Sequence, residues 1–477
     1  MGGRQVTRWQ DKRVVVAGLG VSGMPAARVL HARGARVTAV TDADDTRSRE
    51  QAGQLRAEGI TVRLGDGASL PESTELVVTA PGWQPDKPLF QAAAAAGVPV
   101  WGDVELAWRL RGPGAAPWLA VTGTNGKTTT VRMLAAILEA AGLRTAAVGN
   151  IGVSLLDAVL AEEPYDVLAV ELSSYQLHWA PSVRPHSAVV LNLAPDHLDW
   201  HGSMAAYAAD KGRVYEGNQV ACVYNLADPA TEQLVREADV EEGCRAVGFT
   251  LGAPRPSELG VVDGLLVDRA FVPDRAKQAQ ELAELTDVNP PAPHNIANAL
   301  AAAALARAYG VPATAVREGL RAFRPDPHRI ERVAEIGSVT YVDDSKATNT
   351  HAAEASLAAF EPIVWIAGGL AKGASFDELV QGAAKRLRAV ILMGRDRHLI
   401  REALARHAPQ VPVVDLDRTD TGAMSEAVRK AAGLALPGDT VLLAPACASM
   451  DMFTNYLVRG DVFADAVRAL DTAAEGD

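Results

Sequence analysis

The stretch "AVTGTNGKTTTVRML", residues 120–134, decides how the rest of the chain is read. An apolar strand enters it and a short glycine turn follows. Lys127, three threonines and a helical pattern then leave it. That order is the layout of a phosphate loop: backbone N–H groups point into the turn and the helix N-terminus adds a positive dipole. Lys127 can reach β- and γ-phosphates, and the Thr128 hydroxyl can ligate Mg²⁺. The glycines stand at 123 and 126; residue 121, where GxxxxGK[ST] has its first glycine, is valine. Gly123, Thr124, Asn125, Gly126, Lys127, Thr128 and Thr129 form the candidate cradle.

Such a loop calls for an acidic group at the end of a neighbouring strand. "YDVLAVELSSYQL" (165–177) supplies Glu171, a hard oxygen ligand suited to Mg²⁺. "NLAPDHLDWHGSMAAYAADKGRVY" (192–215) then places Asp196, His197, Asp199 and His201 within six residues. A zinc reading finds no Cys or HExxH to support it, whereas a single histidine beside Glu171 would complete a magnesium shell. Lys211 falls on a helical pattern, where a lysine is ordinarily solvated.

A second glycine motif lies near the start. "GLGVSG" puts Gly18, Gly20 and Gly23 between a strand and a helix, and Asp42 ends the next strand. Read alone this is a dinucleotide site, with Asp42 on a ribose. The motif specifies a pyrophosphate on a helix N-terminus and not a nicotinamide; a UDP-sugar carries the same group. The chain therefore offers two phosphate sites, one for ATP and one for a second phosphorylated substrate.

The 477 residues suggest three domains. Short apolar strands alternate with helical stretches throughout, which implies an α/β protein with parallel sheets covered on both faces. "RGPGAAP" (111–117) and "FRPDPHRIE" (323–331) read as linkers and as hinges for domain closure. The expected division is 1–112, Rossmann-like; 113–324, a central P-loop ATPase-like domain; and 325–477, Rossmann-like. Strands are expected at 13–18, 35–42, 60–64 and 75–79, then at 118–122 and near 144–148, 166–171, 187–191 and 219–224. The third domain's are "VTYVDD", "IVWIAGG", "AVILMG", "VPVVDL" and "DTVLLAPA". Residues 240–288 look irregular or β-rich.

A net charge of -12 argues against nucleic acid and anionic membrane as partners. No apolar run approaches a membrane span, and the N-terminus lacks a signal core. A cytoplasmic monomer is expected. Cys222, Cys244 and Cys447 are far apart in sequence, so neither a disulfide framework nor a zinc site is expected.

With these motifs assembled, the chain resembles the Mur ligases, ATP-dependent amide-forming enzymes of peptidoglycan synthesis. The resemblance rests on "GLGVSG", "GTNGKTT", "GNIG" (149–152), "ELSSYQL", "NLAPDHLD", "HNIANAL" (294–300), "DSKATN" (344–349), "GGLAKGASF" (368–376) and "PACASMDMF" (445–453). "DSKATN" and "PACAS" are similar to the glutamate-adding members. The resemblance implies that Lys127 and Thr128 hold ATP phosphates and Mg²⁺, and that Glu171 and His197 bind magnesium. It implies a carbamylated Lys211 at a second Mg²⁺, and ATP contacts at Asn295, Arg329 and Asp344. Gly20, Val21, Ser22, Thr41 and Asp42 would meet the UDP moiety, and Asn150 the muramoyl part. Lys346, Thr348, Lys372, Ser449 and Tyr456 would hold D-glutamate. Asp343 stands where these ligases commonly carry Asn. The implied substrates are ATP, UDP-N-acetylmuramoyl-L-alanine and D-glutamate, joined through an acyl phosphate.

Rival readings account for less. A folylpolyglutamate-type ligase shares the loop but leaves "GLGVSG" and "PACAS" without a reason. A nicotinamide oxidoreductase explains Gly18 to Asp42 and wastes the phosphate loop. A nucleotide-binding regulator does not need the lysines of the third domain.

Overall fold

The computed structural model describes residues 8–474 except 326 and 419, with the side chains of 471–474 left aside. Two compact units divide the chain: residues up to 288 with 295–323, and residues 289–294 with 324 onward.

The first unit carries two sheets. Five parallel strands, β1 (Arg13–Ala17), β2 (Arg36–Thr41), β3 (Thr61–Leu64), β4 (Leu76–Thr79) and β5 (Val100–Gly102), run in the order β3-β2-β1-β4-β5. Their apolar runs are buried because helices cover both faces. The order reverses about β1, so the turns after β1 and β4 open a crevice at the carboxyl edge.

The second sheet holds β6 (Trp118–Thr122), β7 (Ala147–Gly149), β8 (Leu168–Glu171), β9 (Ser187–Val190), β10 (Ala221–Asn225), β11 (Arg245–Phe249), β12 (Glu258–Val262), β13 (Leu265–Asp268) and β14 (Gln280–Glu284). Its order is β14-β13-β12-β11-β10-β9-β6-β8-β7. β6 sits between β8 and β9, which fixes what can surround the loop that follows it. Residues 240–288, left unordered by sequence, supply β11 to β14, and β12-β13-β14 are antiparallel. The helix Pro293–Tyr309 is alanine-rich and its residues 298–306 are buried all round, as a central helix must be.

The first linker does not separate two cores. Trp108 meets Trp118 edge-on at 4.8 Å, and Arg111 covers the Trp108 ring. Gly102 N–H donates to Trp179 O at 2.8 Å, and Ser182 N–H to Glu105 Oε2 at 2.9 Å. One apolar cluster runs from Val14 to Leu234. The tryptophans that flank the Pro/Gly stretch thus stiffen the expected hinge at 111–117.

The second unit is a six-stranded sheet: β15 (Glu331–Ile336), β16 (Val339–Asp343), β17 (Ile363–Ala367), β18 (Leu387–Leu392), β19 (Val413–Asp415) and β20 (Thr440–Leu443), ordered β15-β16-β20-β17-β18-β19. Only β15 is antiparallel to its neighbour. It begins at the last residue of the expected second linker. Because β20 lies between β16 and β17, the loops after these three strands are neighbours. Those loops are "DSKATN", "GGLAKG" and "PACAS". Among the described residues no helix is long and apolar enough to cross a membrane.

Candidate active site

The phosphate loop is built by what β6 has on either side. Thr124 N–H donates to Asn192 O (3.0 Å), and Asn125 N–H to Asn192 Oδ1 (2.9 Å). The Thr124 hydroxyl lies 3.0 Å from Tyr207 Oη and accepts Ala194 N–H. Thr124 and Asn125 therefore spend their N–H groups on the protein, on the backbone and side chain of Asn192. Gly126 is left-handed (φ 84°) and caps the helix Lys127–Ala140. A Cβ there would stand 2.5 Å from Asn298 Oδ1, so glycine lets Asn298 press against the loop. Asn298 Nδ2 donates to Asn295 Oδ1 at 3.3 Å.

Lys127 folds back over the loop and donates to Gly123 O and Thr124 O, both at 2.9 Å. Lys211 reaches the same carbonyl: its Nζ is 2.9 Å from Gly123 O and 3.4 Å from Thr122 Oγ1. Helical periodicity read Lys211 as solvated, yet it is only 2% exposed. Its helix, Met204–Gly212, turns this face toward the loop. Burial, reinforced by the Lys127 charge, holds Lys211 well below the ordinary ammonium range, while Asp196 and Glu171 pull the other way. Burial thereby favours the neutral amine, the form that reacts with CO₂.

Glu171 ends β8 and is buried. Asn150 Nδ2 donates to its Oε1 at 3.0 Å, and Asn150 N–H to its carbonyl. Asn150, expected on the muramoyl part, is thus also the support of Glu171. Oε2 is buried without any hydrogen-bond partner. A buried carboxylate oxygen left unpaired is costly, and a hard divalent cation is the partner that suits it. The residues present therefore fit Mg²⁺. His197 adopts a left-handed conformation (φ 54°), lies tilted against the Tyr175 ring with centroids 4.9 Å apart, and lies 3.6 Å from Asp196. His201 is held by Asp210 and Ser174 instead.

At the other sheet of this unit, Gly18 (φ 97°) and Gly23 make the turn. A Cβ on Gly23 would fall 1.8 Å from Gly18 O, so only glycine lets the helix Gly23–Ala32 start there. Ser22 occupies its N-cap position without a side-chain capping hydrogen bond, and Val21 is 88% exposed at the tip, beside Gly20. Thr41 ends β2, and Asp42 pairs with Lys87, which lies over the Trp83 ring.

In the second unit, Lys346 Nζ lies 4.0 Å over the Tyr456 ring, and Thr348 N–H turns back to Lys346 O. Leu370 and Ala448 exchange backbone hydrogen bonds, which brings the loop of exposed Lys372 (φ 49°) beside buried Ser449. Burial pushes the Asp344 carboxyl up to about 6, against the pull of its Ser356 hydrogen bond and of Arg329. Arg459 was not foreseen. It is buried, donates to Ser345 Oγ (3.0 Å), Ser345 O (2.8 Å) and Cys447 O (3.1 Å), and stitches two of the three loops together. Nor were Asn192 and Asn298. Asn298 follows Asn295 by one helical turn, a spacing that could have signalled a shared face.

Three family profiles match: Mur ligase MurD-like, N-terminal domain, over 12–102; Mur ligase middle domain, over 121–306; and Mur ligase, glutamate ligase domain, over 328–447. A UDP-N-acetylmuramoylalanine--D-glutamate ligase of Streptomyces avermitilis is 80% identical over 98% of this chain and all of its own. The chain belongs to the Mur ligase family. The Streptomyces coelicolor protein of the same name is 78% identical over 97% of this chain and 99% of its own. Among solved structures, a pseudomurein peptide ligase type C from Methanothermus fervidus has the same fold, with a TM-score of 0.57 at 20% identity over 96% of this chain and 100% of that one. The three-domain α/β architecture is thus that of the Mur ligases.

Proposed function

We infer that this Mur ligase joins D-glutamate to UDP-N-acetylmuramoyl-L-alanine at the expense of ATP, in peptidoglycan precursor synthesis. The relatives above carry that name across essentially the whole chain. The observation that best supports the chemistry is the meeting of Lys127 and Lys211 on one loop carbonyl beside the unpaired Glu171 Oε2.

ATP phosphorylates the carboxylate of the UDP substrate, giving an acyl phosphate and ADP. The amine of D-glutamate attacks the acyl carbon, and phosphate leaves an amide behind. No enzyme nucleophile is needed, so the work is positioning and charge neutralisation. The loop Gly123 to Thr129, with Lys127, cradles the phosphates. Asn295, Arg329 and Asp344 serve the rest of the nucleotide. Glu171, His197 and Thr128 are the residues that would hold Mg²⁺, which supplies charge neutralisation on the phosphates when bound. A carbamate on Lys211 would add an anionic oxygen ligand for a second ion. Gly20, Val21, Ser22, Thr41 and Asp42 receive the UDP moiety, and Asn150 the muramoyl part. Lys346, Thr348, Lys372, Ser449 and Tyr456 receive D-glutamate; two lysines suit its two carboxylates.

The test is phosphate release from ATP with UDP-N-acetylmuramoyl-L-alanine and a panel of amino acids. Release with D-glutamate alone, and a product heavier by one glutamyl unit, is expected. Release with a different amino acid would change the third substrate; none at all would overturn the reading.

A further inference from the structure

The three cysteines are distant in sequence, but the sheet brings two of them together. Cys222 is the second residue of β10 and is buried; Cys244 immediately precedes β11 and is half-buried. β10 and β11 pair in parallel with Cys222 opposite Ala246. Cys244 and Ala246 are two residues apart, so they project to one face, the face that Cys222 shares. The two sulfurs lie 3.9 Å apart across 22 residues of chain.

We propose that Cys222 and Cys244 form a dithiol modification site that closes to a reversible intrachain disulfide when a hydroperoxide oxidises it. The sulfurs must approach by about 2 Å to reach bonding distance. Cys244 is the partner able to move, because it leaves a turn at Gly243 (φ 89°) in which its N–H bonds Glu241 O. It is also the partner that solvent reaches. The two thiols share one hydrogen bond in which either sulfur can donate; with the proton held by buried Cys222, that bond lowers the Cys244 thiol and, with burial, raises Cys222. Cys244 is therefore the sulfur that reacts first and Cys222 the one that resolves. Cys447 serves as an internal contrast: it is buried and pushed up to about 12. Among the described residues no third His, Cys, Asp or Glu joins the pair to make a metal cluster.

The steps balance. The Cys244 thiolate attacks a peroxide oxygen, the O–O bond breaks and the leaving oxygen takes a proton, which gives a sulfenic acid. Cys222 sulfur then attacks Cys244 sulfur; the S–S bond forms, the S–O bond breaks and water leaves with the Cys222 proton. Two thiols lose two electrons and hydrogen peroxide becomes two waters. Both cysteines lie at the amino edge of the sheet, whereas the phosphate loop and Glu171 lie at its carboxyl edge. The site is thus separate from the ligase chemistry and does not depend on it.

The experiment is titration of the full-length protein with hydrogen peroxide, with thiols counted after denaturation and peptides mapped without reduction. The expected result is loss of two of three thiols and a linked peptide pair carrying Cys222 and Cys244. That pair is lighter by two hydrogens and is restored by a dithiol reductant, while Cys447 stays free. Cys244→Ser should abolish thiol loss over the same range. Cys222→Ala should stop at a sulfenic acid on Cys244, trapped by a cyclic dione. Three thiols persisting until free cysteine in the same tube is oxidised would overturn the proposal. So would oxidation that begins at Cys447, or wild-type Cys244 ending as a sulfinic acid.

Discussion

Lys211→Met is predicted to stabilise the protein and abolish its turnover. The lysine stem already fits its pocket, and methionine is an unbranched apolar side chain that replaces most of it. What disappears is Nζ, with a 2.9 Å hydrogen bond to Gly123 O and a 3.4 Å contact to Thr122 Oγ1. A hydrogen bond from a charged group contributes about 1.5–3 kcal/mol, but Gly123 O keeps Lys127 as a donor at 2.9 Å and is not orphaned. Against that loss stands the desolvation of an ammonium group, several kcal/mol in practice, made worse by the Lys127 charge. The balance favours methionine by about 1–2 kcal/mol, in the range seen when buried charges are replaced by apolar groups. For a domain of this size that is a rise of roughly 2–5 °C in melting temperature.

The pH dependence carries a sign. Burial depresses the Lys211 pKa in the folded protein. Between that value and the unfolded one, about 10.4, the unfolded chain binds the extra proton. Wild-type stability therefore rises with pH through that window. The advantage of Lys211→Met is fully present below the folded pKa and vanishes as pH climbs to the unfolded one. The assay pairs thermal unfolding across pH, in CO₂-free buffer, with phosphate release. Short carboxylic acids should restore part of the turnover of Lys211→Ala, which leaves them room. A Lys211→Met protein that melts several degrees lower and keeps its turnover would refute the reasoning, because Nζ would then be a structural ammonium.

Lys127→Ala should lower kcat at least about 10²-fold, the scale of removing one preorganised charge from a developing transition state; near-wild-type phosphate release would remove Lys127 from the ATP site. Gly126→Ala must hold a left-handed alanine, costing about 1–2 kcal/mol, and drive its Cβ against Asn298 Oδ1. The KM for ATP should rise about tenfold for 1.4 kcal/mol lost from binding, and adding Asn298→Ala should recover part of it. Asp343→Asn tests the buried pair with His328, whose Nδ1 lies 2.7 Å from Asp343 Oδ2. That hydrogen bond raises the His328 pKa, so its contribution is full below the unfolded value of about 6.5 and fades as pH rises through the folded one. Urea unfolding should show the variant less stable by about 1.5 kcal/mol near pH 6, at the low end for a charged hydrogen bond, with the difference shrinking by pH 9.

Most strands were legible because both faces of these sheets are covered, so each strand reads as an apolar run. Three features escaped for separate physical reasons. β15, "ERVAEI", is an edge strand with no fully buried residue, so its pattern resembles a loop. β5 has three residues, too short for any periodicity. β12 and β13 are short, and β14 carries exposed Gln280, Glu281 and Glu284 because it is the antiparallel edge of the sheet. At the site, the loop and Glu171 could be found by order and spacing, and the third-domain motifs only through the family resemblance. Lys211, Asn192 and Arg459 could not, and for Asn298 spacing gave only a shared face with Asn295. Each matters through a partner far away in sequence: Gly123, Asn125, Ser345 and Gly126 respectively. The same limit applied to Cys222 and Cys244, whose proximity is a consequence of strand register.

The convergence of two lysines on one carbonyl has a further implication for the reading of Lys211. A phosphate loop needs positive charge, and Lys127 with the helix N-terminus already provides it. A second ammonium, buried and 2.9 Å from the same oxygen, would add desolvation cost and like-charge repulsion for a task already done. Glu171 alone does not offset it, since one of its oxygens has no donor at all. Both difficulties have one remedy. If Lys211 becomes an anionic carbamate, its repulsion with Lys127 turns to attraction. The site then presents two anionic groups instead of one to the cations that accompany ATP. If that carbamate forms, CO₂ together with nucleotide should stabilise the wild type more than either does alone. Lys211→Met should show no such synergy: its shift with nucleotide should be the same with and without CO₂.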